Sequence, residues 1–272
     1  MADSKKTIWQ LAEISSPHLP KPVEVIAAKD IPHTPSANRL QTLHVYLPKN
    51  ENTLALLNRS VASIPTSANS TSPQYQRDRH SNPSREARHP QHLRDVLSGF
   101  ALLWELASMD GSYVLTGHSA GACLSMQLVL QAPEHFGLNV QAPPCPAGAA
   151  GLNGLYDLPA LVHGLGDSYA HLSAEYASLQ GQAFGTDESA WASAIPALFD
   201  ARVIEGHVKV GKAPKLVLIN QSTEDQLVPM NQAERLEARS KGVKGMTVVR
   251  EGVMIWETVS DVLAMLKEGG GD

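Results

Sequence analysis

The segment Gly117-His118-Ser119-Ala120-Gly121 limits what this chain can fold into more than any other, because few backbones can carry it. A short buried run, Ser112-Tyr113-Val114-Leu115-Thr116, precedes it, and a helical pattern from Ala122 to about Gln131 follows. G-x-S-x-G between a strand and a helix predicts a tight turn that holds the serine exposed at the C-terminal edge of a sheet. Side chains at Gly117 or Gly121 would collide with neighbouring backbone in such a turn. The N–H of Ala120, at the start of the helix, is placed to donate to an oxyanion. Ser119 is therefore the candidate nucleophile, and Ala120 supplies the candidate oxyanion N–H.

The rest of the chain alternates strands and helices. Residues 39–47 (RLQTLHVYL) alternate apolar and polar positions before Pro48 and predict a strand. Leu93, Val96, Leu97, Phe100, Leu103 and Leu106 recur at helical spacing in a stretch that begins at Gln91. Residues 149–155 predict a strand, and 157–200 a mostly helical, irregular section. Residues 215–220 predict a buried strand, 231–241 a short helix, 246–249 a strand and 253–267 a closing helix. This order predicts an α/β fold of the α/β-hydrolase type, a mostly parallel sheet with helices on both faces. Residues 1–272 are expected to form a single domain. Pro48 to about His92 is rich in Ser, Pro, Asn and Arg, and only residues 54–57 and 61–64 offer anything to bury. That stretch is expected to be poorly ordered, and to stand where part of the early sheet would lie.

Composition removes several function classes. Hydrophobic residues make up 43% and charged residues 18% of the 272, an ordinary globular balance. A net charge of −5 gives no basis for a nucleic-acid or anionic-membrane partner. No stretch approaches the roughly 18 apolar residues that a membrane span needs. Cys123 and Cys145 are too few for a disulfide framework and too far apart for a metal knuckle. Lys5 and Lys6 are followed by no apolar run, so a secretory leader is not expected and a cytoplasmic location is. A homodimer is compatible with the chain, whose sequence leaves the oligomeric state open.

In an α/β-hydrolase triad the order along the chain is Ser, then Asp or Glu, then His. The loop after the strand at 215–220 reads Gln221-Ser222-Thr223-Glu224-Asp225-Gln226-Leu227-Val228-Pro229. Asp225, ahead of an apolar turn that can pack it in place, is the candidate triad acid, with Glu224 its local rival. The eleven histidines end at His207, so none follows Asp225. His118 adjoins Ser119 but points elsewhere, His207 precedes the acid strand, and His163 and His171 fall in the middle section. A core or surface role is the better reading for all four. An HGG-type loop, the usual source of a second oxyanion donor, is missing too, since the one His-Gly pair, His163-Gly164, comes after the serine.

Several segments taken together resemble the fungal kynurenine formamidases. They are RLQTLHVYLP at 39–48, DRHSNPSREARHPQHLRDV at 78–96, GSYVLTGHSAGACL at 111–124, GLYDLPALV at 154–162, AFGTDESAW at 183–191, QSTEDQLVPMNQAERL at 221–236 and EGVMIWETVSDVL at 251–263. The resemblance implies hydrolysis of N-formyl-L-kynurenine to L-kynurenine and formate in tryptophan breakdown, with Ser119 as nucleophile, Asp225 as acid and no cofactor or metal. Tyr156, Phe184 and Trp191 are candidates for the wall behind the aryl ring. Two departures are specific. The family's HGGxW motif is absent where Gln74 runs into Asp78, and its histidine is absent where Val249-Arg250 joins Glu251. A reading from a different class follows from them: a non-catalytic relative that binds a small molecule or partner in the old pocket. A generic carboxylesterase is a third reading, disfavoured because an unrelated esterase would share only the elbow.

Overall fold

The computed structural model describes residues 10–14, 22–32, 42–48, 60–64, 87–107 and 113–252. In chain order the strands and α-helices are β1 (Gln10–Ile14), β2 (Val23–Pro32), β3 (Thr42–Pro48), β4 (Ser60–Ile64), α1 (Gln91–Ala107), β5 (Tyr113–His118), α2 (Ala120–Leu130), β6 (Gly148–Leu152), α3 (Ala160–His163), α4 (Ser173–Phe184), α5 (Ala201–Lys209), β7 (Leu216–Asn220), α6 (Asn231–Ser240) and β8 (Thr247–Glu251). Short 3-10 turns fill much of the space between α3 and α5, as the irregular helical reading of 157–200 predicts. The closing helix expected over 253–267 lies outside the described residues.

Two sheets form. β1, β2 and β3 make an antiparallel sheet, its register shifted between Ala28 and Ile31. β4 to β8 make a five-stranded sheet in sequence order, and every pair in it is parallel. A parallel sheet is buried on both faces, so its strands read as continuous apolar runs rather than alternations. β7, LVLIN, is buried at every position. The sheet is the mostly parallel α/β arrangement that the sequence predicts.

One expectation is corrected. Ser60–Ile64, inside the stretch expected to be poorly ordered, forms β4 and pairs with β5 from Ser60 opposite Tyr113 to Ile64 opposite Gly117. Its β-branched Val61 and Ile64 suit an extended edge, and the ladder groups of β5 require a partner there. Residues 87–92 of the same stretch are also described: the N–H of His89 donates to the carbonyl of Ala183 at 2.7 Å. The intervening residues lie outside the described set.

The two faces of the parallel sheet bury different residues, as a period of two requires. Tyr113, Leu115, Ala149, Val217 and Ile219 join a large core with apolar residues of α1, α2, α4, α5 and α6. Val114, Ala150, Leu216 and Leu218 point the other way into a second cluster that takes in Val249. α2 is buried around nearly its whole circumference, the mark of a central helix rather than a surface one. Burying one such side chain, Leu130 for instance, contributes about 1.5–3 kcal/mol.

α6 is tied to the turn after β6 through Gln232. Its Oε1 accepts the N–H groups of Tyr156 and Asp157, each at 2.8 Å. Its Nε2 donates to the Asp157 carbonyl at 3.2 Å. Asp157 in turn accepts the N–H of Ala160 at 3.1 Å and pairs with Arg235 at 3.1 Å. Among the described residues no helix is long and apolar enough to cross a membrane.

Candidate active site

β5 ends at His118, and α2 begins two residues later. The turn is tight enough that Ser119 takes φ 54° and ψ −120°. A non-glycine residue at positive φ is strained by about 1–3 kcal/mol and persists only where its surroundings hold it. Here the Ser119 N–H donates to the carbonyl of Leu152 at 2.9 Å, and the Ser119 carbonyl accepts from Ala122, Cys123 and Leu155 at 3.1–3.4 Å. Gly117 permits the close approach: a Cβ there would overlap the carbonyl of Gly121 and the hydroxyl of Ser125. Ser119 is half-buried. Ala120 opens α2, so its N–H is among the four that a helix leaves without an intrahelical partner.

The acid loop follows β7. Asp225 Oδ1 accepts the N–H groups of Leu227 and Val228 at 2.8 and 2.9 Å. Among the described residues Oδ2 takes no hydrogen bond. Two tyrosines from the middle section fix the loop: Tyr169 donates to the Asp225 carbonyl at 2.6 Å and Tyr176 to the Leu227 carbonyl at 2.8 Å. Burial, with the nearby Asp225 carboxylate and Tyr169 adding to it, pushes the Tyr176 hydroxyl up to about 12. Glu224 is exposed and its side chain takes no part in this packing, so Asp225 is the better-held acid.

Asn153 joins the two halves. It sits at φ 45° just past β6, donates its N–H to Asn220 at 2.9 Å, and accepts the N–H of Ser222 on Oδ1 at 2.9 Å. The elbow therefore hangs on the end of β6, and the acid loop on the residue beyond it. Nothing in the local sequence marks Asn153 except that asparagine tolerates the left-handed region better than most residues.

The histidines weighed from sequence are placed as follows. His207 Nδ1 lies 3.2 Å from the Leu130 carbonyl, and His163 Nε2 lies 3.1 Å from the Glu188 carboxylate on the surface. His171 and His118 are exposed. Two that the sequence reading passed over, His89 and His92, line a cavity of about 50 Å3 together with Ala120, Cys123 and Gln127 of α2 and Gln180 of α4. Ser119 itself is not among the lining residues. Burial, reinforced by repulsion from His135, lowers His89 to about 4. His92 is also lowered to about 4, first by burial and then by His89, against a backbone hydrogen bond at Ala87. Both imidazoles are neutral near pH 7. Their HPxH spacing was a readable signal, since it puts both rings at the start of one amphipathic helix.

Of the aromatic candidates, Phe184 lines this cavity. Tyr156 is fully buried, with Gly151 and Gly154 packed so closely on it that a Cβ on either would overlap the ring or hydroxyl. Trp191 is core as well and donates Nε1–H to the Gly185 carbonyl at 2.9 Å. Burial raises the Cys123 thiol to about 12 and the Cys145 thiol to about 11, so neither is a thiolate nucleophile. Among the described residues no group of three His, Cys, Asp or Glu side chains is placed to hold a metal.

Comparison with known proteins separates the fold from the chemistry. No family model matches the chain. A kynurenine formamidase-like hydrolase of Fusarium equiseti is 32% identical over 120 residues, 44% of this chain and 38% of that protein. A kynurenine formamidase of Aspergillus versicolor is 28% identical over 155 residues, 55% and 54% of the two chains. One from Meyerozyma guilliermondii is 30% identical over 147 residues, 54% and 51%. The chain thus spans about half, or less, of the length of the curated relatives it matches. Among solved structures, an esterase B of Lactobacillus rhamnosis superposes with a TM-score of 0.62 at 16% identity, covering 90% of this chain and 84% of that one. A truncated carbohydrate esterase from gut microbiota gives 0.64 at 14% identity, covering 89% and 95%. The fold is that of the α/β-hydrolases, and in sequence the chain resembles the kynurenine formamidases.

Proposed function

We propose that this chain is a cytoplasmic serine hydrolase of the aryl-formamide type, acting on N-formyl-L-kynurenine to give L-kynurenine and formate. The observation that carries the reading is the strained Ser119 at the strand–helix elbow, because a fold keeps a non-glycine residue at positive φ where its side chain has work to do. The substrate is taken from the likeness to the formamidases, since the fold alone supports many acyl transfers.

In this reaction Ser119 Oγ attacks the formyl carbon, and the Ala120 N–H shares the charge that develops on the formyl oxygen. One such donor is worth about 10²–10³ in rate. The proton lost by Oγ passes through solvent to the aryl nitrogen, the C–N bond breaks to release the neutral aryl amine and leave a formyl-serine, and water then adds to that ester and frees formate and the Ser119 hydroxyl. Asp225, with Oδ1 already occupied by two N–H groups, offers Oδ2 to the N–H of a base. No histidine follows it in this chain. Turnover is accordingly expected to lie about 10⁴–10⁶ below that of a complete triad.

The test is hydrolysis of N-formyl-L-kynurenine by the purified chain, with Ser119→Ala assayed beside it. Slow kynurenine release that vanishes in the variant is expected, and equal rates in the two proteins would overturn the assignment. The occupied histidines favour a second reading: His207 faces a backbone carbonyl and His163 a carboxylate, so the elbow would hold a ligand without turning it over. Substrate that binds the folded protein but is never cleaved is the outcome that reading requires.

A further inference from the structure

The acid loop is fastened from outside itself, and the fastening leads to the carboxylate of Asp225. Tyr176 of α4 donates its hydroxyl proton to the Leu227 carbonyl at 2.8 Å. That carbonyl shares one planar peptide unit with the N–H of Val228, which donates to Asp225 Oδ1 at 2.9 Å. Tyr176 Oη, the Leu227–Val228 peptide and Asp225 Oδ1 therefore form one continuous chain of hydrogen bonds. Each link in such a chain polarises the next, by about 10–30% per bond. A proton given to the carbonyl oxygen makes the N–H of the same peptide a better donor, and the carboxylate is held more tightly.

Tyr169 fastens the loop at a second point. It lies in the 3-10 turn Asp167–Leu172 ahead of α4 and donates to the carbonyl of Asp225 itself at 2.6 Å. Gln221 adds an anchor beyond the acid, its Nε2 donating to the Val228 carbonyl at 3.0 Å. The main chain is thus held at 225, 227 and 228, and Oδ1 takes a further N–H from Leu227 at 2.8 Å. With Oδ1 doubly engaged, the direction in which Oδ2 points follows from the placing of these carbonyls. The two hydroxyls that place them come from the middle section, 56 and 51 residues away along the chain.

Both tyrosines act as donors, so each works only while it keeps its proton. Tyr176 is 8% exposed, and burial, then the Asp225 carboxylate and Tyr169, push its hydroxyl up to about 12. A group that holds its proton so firmly is no general base at neutral pH. Packing alone would require the ring and not the hydroxyl. We propose that Tyr176 and Tyr169 are positioning residues for the candidate acid, aiming the Asp225 carboxylate through the main chain of residues 225–228. The role given to the acid rests on the serine-hydrolase reading, whereas the aiming itself is a property of the folded chain.

The experiment deletes only the hydroxyls, in Tyr176→Phe and Tyr169→Phe, and follows the folded chain by NMR at pH 7. In Tyr176→Phe the Val228 amide proton should move upfield and exchange about five- to tenfold faster, the loss of one hydrogen bond, while amides of α2 keep their rates. The Asp225 carboxyl carbon should move in both variants. In an Asp225→Asn background the effect of Tyr176→Phe on Val228 should shrink to about half or less, because a neutral oxygen accepts about half as strongly as a carboxylate. A hydroxyl that merely stabilised the loop would move Val228 equally in both backgrounds, and that result would overturn the proposal. So would an unmoved Val228 amide in Tyr176→Phe, or an Asp225 carboxyl signal that neither variant shifts. Tyr169 is half-buried, so its variant keeps the carboxyl measurement decisive if Tyr176→Phe does not fold. These signals require no turnover, so failure of the hydrolase reading, shown by equal rates in the unmodified chain and Ser119→Ala, stays separate from failure here.

Discussion

Ser119 combines two demands that pull against each other. The fold needs a residue that accepts φ 54°, where glycine would be relaxed, and the proposed reaction needs a hydroxyl there. Among the described residues the hydroxyl makes no hydrogen bond, so its removal takes little from the folded state. Ser119→Gly is therefore expected to unfold at higher denaturant, with a gain of about 1 kcal/mol, while abolishing any formyl-kynurenine hydrolysis. Equilibrium unfolding in urea checks the sign, and a loss of stability would show that the elbow carries no strain at this position. Asn153, the other non-glycine residue at positive φ, differs because its side chain accepts the Ser222 N–H. Its conformation serves the link between elbow and acid loop rather than an exposed functional group. The elbow was readable in sequence because its constraints are local and steric. The role of Asn153 was not, because its partner lies 69 residues further on.

Among the elements, α6 shows how a short polar helix is made to belong to a core. Its buried stripe is narrow, formed by Gln232, Ala233, Leu236 and Ser240. Much of its attachment passes through the one amide of Gln232, which satisfies the N–H groups of Tyr156 and Asp157. Gln232→Leu keeps the volume but strands both buried donors, and a loss of about 2–4 kcal/mol is expected from urea unfolding. A loss below about 1 kcal/mol would mean that water reaches them. Sequence pattern located α6, α2, β5 and β7, whose apolar runs or stripes are strong. It passed over β2, whose alternation is broken where the register shifts between Ala28 and Ile31. It also passed over α5, although Asp200 ahead of it accepts the Arg202 N–H and is a recognisable helix start. β4 was missed for a different reason. Ser60–Ile64 is too short and too mixed to declare itself, and only the open edge of β5 makes a strand of it.

At the scale of the whole molecule, pH acts through the neutral pair at the start of α1. His89 and His92 both titrate near 4 in the folded protein, against about 6.5 in an unfolded chain. Between those values the unfolded chain binds more protons, so stability is fully present above about pH 6.5 and falls as pH drops towards 4. The two together should remove a few kcal/mol across that window, most of it before ordinary carboxylates begin to protonate. Unfolding free energy measured from pH 7 to 4 tests this, and a flat profile would mean that the pair is hydrated in solution. The glycines of the elbow would hold their places even without chemistry at Ser119. Gly117, Gly151 and Gly154 are fixed by overlap with Gly121, Ser125 and Tyr156, contacts that exist whether or not any bond is ever broken at Ser119. Relaxed selection on catalysis would release the serine and the acid to drift while the glycines stayed. The pattern around the elbow would then persist as a fossil, preserved by the bulk of its neighbours long after the reaction that first favoured it.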